Sequence, residues 1–118
     1  MKLGISTACF YPLPIEQALD EIGKLGLRTA EIFFNTESEY FEPLISKIER
    51  HVKENGLEIC SIHPFTSANE GILLFSEYTR RTEDALAQYR RYFEAGQRLG
   101  AKYFTFHGER RMGFDTDG

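Results

Sequence analysis

Short apolar runs alternate along the chain with longer stretches in which apolar residues recur every three or four positions, and the two patterns predict different elements. "KLGIS" at residues 2 to 6 predicts a short buried strand. Pro14 then opens a helix, since proline is tolerated at a helix start, and Ile15, Ala18, Leu19, Ile22 and Leu25 follow at helical spacing. Gly26 is a left-handed stop, after which "TAEIFF" at 29 to 34 predicts a second strand. Pro43 opens the next helix, with Leu44, Ile48 and Val52 as its apolar stripe, and "ENG" closes it at Gly56 before the strand "LEICSI". A third, longer helix carries Ala85, Leu86, Tyr89, Tyr92, Phe93 and Leu99 on one side and ends at Gly100 ahead of "KYFTF".

The three exits "LGLRTAEIFF", "NGLEICSIHP" and "LGAKYFTFHG" repeat one plan, a capping glycine running straight into a strand. The order β-α-β-α-β-α-β implies parallel strands, because parallel neighbours need a crossover long enough to hold a helix. The expected class is α/β in a single domain, residues 1–118, with no linker to divide it. A parallel sheet needs both faces covered, yet after the fourth strand comes only "GERRMGFDTDG", which has no helical period. The pattern therefore reads as half of a barrel, cut in mid-plan.

Strand alternation then sorts side chains onto two faces. It puts Ile59, Ser61 and His63 together, opposite Cys60 and Ile62, and puts Tyr103, Thr105 and His107 opposite Phe104 and Phe106. Glu31, Phe33 and Asn35 share a face of the second strand. Ligands of parallel sheets bind at the carboxyl ends of the strands, which is where Glu31, Asn35, His63 and His107 fall. Adjacent strands lie about 4.8 Å apart, so two histidines at matching strand ends can converge on one small ligand or metal ion. The alternative is that each caps its own strand by bonding a nearby carbonyl.

Composition narrows the function classes. Hydrophobic residues make up 42% of the 118, enough for a core. The net charge of −4 offers no electrostatic footprint for a nucleic-acid backbone. No apolar run approaches the roughly 18 residues of a membrane span, and "MKLGISTACFYPLP" has one lysine but no sustained apolar stretch, so an unexported protein is expected. Cys9 and Cys60 read as reduced thiols, so a cytoplasmic location is expected. "GFDTDG" resembles the start of a calcium loop but lacks its later ligands, and "GERR" reads as a solvated loop rather than a phosphate clamp. His51 belongs to a helix surface or its packing.

The stretches "KLGIST", "AEIF", "SIHPF" and "AGQRLGAKYFTFHG" resemble the N-terminal half of the xylose isomerase-like barrel superfamily, which comprises sugar phosphate isomerases and epimerases together with endonuclease IV. The resemblance spans nearly the whole chain and implies the (β/α)3-β4 half of a TIM barrel. In the isomerase and epimerase branch it implies a metal-dependent enzyme that transfers a proton next to a carbonyl of a sugar or sugar phosphate. Glu31, Asn35, His63 and His107 then line the substrate pocket, while the divalent metal (Mn, Zn, Mg or Co) and the acid and base belong to later strands; no catalytic residue is implied here, and the isolated chain is expected to be inactive. In the endonuclease branch His63 and His107 become zinc ligands of a phosphodiesterase acting on abasic DNA, a reading the acidic charge disfavours. A third alternative is a non-catalytic module whose open strand edges pair with a second copy or another half barrel.

Overall fold

A computed structural model describes residues 2–108. The predicted order holds: β1 (Gly4–Ser6), α1 (Ile15–Lys24), β2 (Thr29–Phe33), α2 (Leu44–Glu54), β3 (Glu58–His63), a short helix α3 (Glu70–Leu73), the long α4 (Thr79–Arg98) and β4 (Tyr103–Phe104). The strands form one parallel sheet in the order β1-β2-β3-β4, which leaves β1 and β4 as its edges. The class is α/β, as the alternating periods require. Turns of 3-10 helix after β1, β2 and β3 (Thr7–Phe10, Glu37–Tyr40 and Ser67–Asn69) and the single-turn α3 carry no apolar period of their own and went unpredicted.

α1 and α2 start after their prolines, and α1, α2 and α4 stop just before their glycines. Pro14 and Pro43 stand immediately before α1 and α2. Gly26 and Gly100 follow α1 and α4 with φ of 78° and 76° and nothing within 4 Å of a notional Cβ, so the positive φ rather than crowding demands glycine there.

The core lies between the helices and one face of the sheet. Ile32 and Ile62 from the strands meet Leu19 and Ile22 of α1, Ile48 of α2 and Tyr92 of α4, all fully buried. Burying each large apolar side chain contributes about 1.5–3 kcal/mol, so this layer is the main source of stability. On α4 the inward stripe is Ala85, Tyr89, Tyr92 and Ala95, continued by Leu99 just after the helix. Leu86 and Phe93, expected on the same stripe, are instead 55% and 42% exposed. They border a groove against Phe75 and Phe106, at the side of the sheet where β4 is an edge.

One face assignment is corrected. The β2–β3 ladder pairs Ala30 with Ile59 but Glu31 with Ser61, so Cys60 is an extra residue in a bulge. The bulge moves Ile59, 1% exposed, onto the helix-covered face with Ile62, while Ser61 and His63 stay on the opposite face with Glu31 and Phe33. Strict alternation had placed Ile59 with the two polar residues.

At the entry end of the strands Glu58 accepts hydrogen bonds from Lys102 at 2.7 Å and Lys2 at 3.0 Å, linking the starts of both edge strands to β3. The hydrogen bond from Lys102 and then that from Lys2, with the charges of both, pull the Glu58 carboxyl down from the usual 4.5 to about 2. A carboxyl depressed by folding adds stability above its unfolded pKa and loses it as pH falls through the folded value. Urea titrations should therefore show stability declining from about pH 4.5 to about 2, with Glu58→Gln flattening that part of the curve. The exposed setting means that added salt weakens the effect.

Both cysteines are free. Among the described residues no helix is long and apolar enough to cross a membrane. "GERR" beyond Gly108 and "GFDTDG" lie outside the described residues.

Candidate functional site

β3 ends on His63 and β4 ends three residues before His107, and the parallel β3–β4 register brings the two strand ends to one side of the sheet. The imidazoles meet: His63 Nε2 and His107 Nε2 are 3.0 Å apart, with the rings edge to face at 5.0 Å between centroids. His63 is held from two more directions. Its ring stacks on Phe33 of β2 at 4.4 Å and 22°, and its Nδ1 lies 3.1 Å from the Pro64 carbonyl oxygen. A carbonyl only accepts, so Nδ1 donates to it. The Nε2 contact is one hydrogen bond, with one ring donating and the other accepting. It requires one proton between the two Nε2 atoms, since two would face each other.

One level lower on the same face, Ser61 Oγ donates to Glu31 Oε2 at 2.7 Å. Ser6 of β1 and Ser61 of β3 are the ladder partners of Glu31, so serines stand on both sides of it across the strands. Thr7, which the sequence did not flag, is buried and accepts from the Phe33 N–H at 2.9 Å, fixing the end of β2 against β1.

Asn35 stands apart from this group. It lies two residues past β2, exposed, and its backbone N–H donates to Glu39 Oε1 at 2.7 Å. Among the described residues its hydrogen bonding runs to Glu39 and not to Glu31, His63 or His107. Burial raises the Glu39 carboxyl, against the lowering effect of the N–H groups of Asn35 and Thr36 that it accepts. His51 is far from the strand ends in role: its Nδ1 meets Asp20 Oδ1 at 2.8 Å and ties α2 to α1.

Sequence reasoning also missed Glu70. This side chain is fully buried; Oε1 accepts the N–H groups of His107 at 2.6 Å and Gly108 at 2.8 Å, and Oε2 accepts the Tyr89 hydroxyl at 3.1 Å. Burial pushes the Tyr89 phenol up to about 12, the Thr66 hydroxyl bonded to it opposes this and Glu70 adds to it, so Tyr89 stays a donor through the neutral range. No local signal marks Glu70, because its partners lie 37 and 38 positions away.

Two nitrogens on one zinc ion, each about 2.0–2.1 Å from it, stand about 3.3 Å apart at the tetrahedral angle. The histidine pair is near that spacing at 3.0 Å, but among the described residues no group of three His, Cys, Asp or Glu side chains comes together to hold an ion. A catalytic zinc takes three protein ligands as a rule, so these residues do not make a metal centre by themselves. What they offer is an aromatic surface of Phe33 and His63 beside hydrogen-bonding groups of both kinds.

Comparisons with known proteins agree with this architecture. A solved structure described as D-psicose 3-epimerase in the presence of D-fructose superposes with a TM-score of 0.71 and 19% sequence identity, over 88% of this chain and 36% of the solved one. At that identity the likeness is one of fold, part of a TIM barrel, and this chain spans little more than a third of the solved chain's length. No curated protein sequence matches. The sequence model of the xylose isomerase-like TIM barrel family matches residues 19–117, most of the chain. The chain belongs to the xylose isomerase-like TIM barrel family.

Proposed function

We propose that this chain forms one wall of the sugar pocket of an isomerase or epimerase that moves a proton at the carbon next to a ketose carbonyl. The observation that carries the reading is the contact of His63 with His107 at 3.0 Å, on the face and at the strand ends where parallel α/β sheets bind ligands. A ketose has C–H faces and a dense set of hydroxyls. The stacked Phe33 and His63 rings suit the first, and the Glu31 carboxylate with Ser61 and the imidazoles suits the second. The epimerase named for the solved neighbour, studied with D-fructose, supports this substrate class.

In this reading the residues of the chain bind and orient the sugar, and none of them transfers the proton. The acid, the base and a divalent metal (Mn, Zn, Mg or Co) come from further strands. The metal supplies polarisation of the substrate oxygens. The test is exchange of the proton next to the ketose carbonyl in D2O. The 118-residue chain is expected to give none, and the same chain continued through four further strand-helix units is expected to give exchange. Exchange by the short chain alone contradicts the assignment.

A second reading rests on the same nitrogen pair, whose spacing is near that of two zinc ligands: a phosphodiesterase acting on abasic DNA. The −4 net charge opposes it. It predicts that His63→Ala and His107→Ala each lose zinc from the full barrel. Retained zinc in both variants rules it out.

A further inference from the structure

We infer that Glu70 is a positioning residue: its buried carboxylate sets the turn that carries His107 to His63, and so builds the strand-end pair on which the proposed sugar site rests. The sheet cannot do this alone. β4 pairs with β3 only at Tyr103 and Phe104, and the last ladder hydrogen bond runs from the Thr105 N–H to the Ile62 oxygen at 2.9 Å. His107 lies two residues beyond that bond. There Glu70 takes over, with one oxygen accepting the consecutive N–H groups of His107 and Gly108 at 2.6 and 2.8 Å. Two neighbouring N–H groups converge on one acceptor only if the backbone curls, and Gly108 has a φ of 73°.

Glu70 is itself fixed from behind. It begins α3, is 0% exposed, and takes the Tyr89 hydroxyl of α4 on its second oxygen at 3.1 Å, while Thr66 donates to that hydroxyl at 2.8 Å. A carboxyl is buried at low cost only when its oxygens are hydrogen-bonded, so the loop after β3 and the end of β4 are locked together through it. The consequence reaches the imidazoles. Their contact is 3.0 Å, and a displacement of His107 by about 0.5 Å carries it to the edge of hydrogen bonding.

The test uses the chain labelled with nitrogen-15 at histidine, and reads the through-hydrogen-bond coupling between the Nε2 atoms of His63 and His107. Wild type should show it, and Glu70→Gln should keep it, because an amide oxygen still accepts both N–H groups. Glu70→Ala should lose it, with the His63 ring signals moving to where His107→Ala puts them. Should Glu70→Ala fail to fold, Glu70→Asp, which withdraws the carboxylate by one methylene, should lose the coupling in a folded chain. Absence of coupling in wild type, or unchanged coupling in folded Glu70→Ala or Glu70→Asp, overturns the inference.

A second readout separates this inference from the functional one. If Glu70 acts through His107, then Glu70→Ala and His107→Ala each weaken D-fructose binding by about 10-fold, and the double variant is no weaker than either. Losses that multiply overturn action through His107. Unchanged affinity in His107→Ala defeats the sugar reading and leaves the coupling to decide the role of Glu70.

Discussion

Replacing Tyr92 with alanine is expected to lower the unfolding free energy by about 3–5 kcal/mol. Its ring is fully buried and stacks on Tyr40 at 4.0 Å, and Tyr40 stacks in turn on Phe34 at 4.0 Å. This column joins α4 to the loop and strand end of β2, and Tyr89 flanks it at 5.1 Å. Removing the central ring leaves a hole walled by other rings, which cannot collapse without giving up their own contacts. For a domain stable by about 5–15 kcal/mol overall, the loss is a large share. Tyr92→Phe is the control: it keeps the ring and removes only the hydroxyl that donates to Glu37 Oε2 at 3.0 Å, a change worth about 0.5–1.5 kcal/mol. In urea the alanine variant should shift the midpoint by more than about 1 M, given slopes of about 1–3 kcal/mol/M. Equal losses in the two variants would mean that the hydroxyl, not the stack, supplies the stability.

The second large effect concerns the site. His63→Ala removes the ring that both stacks on Phe33 and meets His107, leaving the His107 nitrogen without its partner. In a chain continued through the rest of the barrel, kcat/KM for a ketose is expected to fall about 10–100-fold, equivalent to about 1.4–2.7 kcal/mol. The loss should appear mainly as a raised KM, because His63 is assigned to holding the sugar and not to moving the proton. A collapse of kcat at constant KM would instead make His63 part of the chemistry. His51→Ala, which breaks only the contact with Asp20 between α1 and α2, should leave both constants unchanged.

Much of the fold is written in short-range signals. Ile15, Leu19 and Ile22 mark one face of α1 by spacing alone, and Gly26 and Gly100 announce the following strands because only glycine takes their positive φ easily. The meeting of His63 and His107 follows from the same logic only in part: parallel pairing of β3 and β4 brings both segments to one side of the sheet, and the hold of Glu70 on the backbone of residues 107 and 108 completes it. The misreadings come from contacts that local pattern does not encode. The bulge at Cys60 breaks the alternation that misplaced Ile59. Leu86 and Phe93 have the right spacing for the core but lie beside an open edge of the sheet. Glu70 sits in "SANEG", which reads as a polar loop, and gains its meaning only from the backbone of residues 107 and 108. Asn35 lies two residues past the end of β2, where its backbone N–H donates to Glu39.

The chain's three histidines allow a direct measurement, because His63 and His107 belong to the candidate site and His51 to the junction of α1 and α2. D-Fructose can be titrated into nitrogen-15 histidine-labelled protein while all three rings are followed. The account predicts that the His63 and His107 signals move together with one binding constant while His51 stays still. Signals of His63 and His107 that stay fixed up to saturating sugar, or that move with different constants, contradict a single strand-end sugar site.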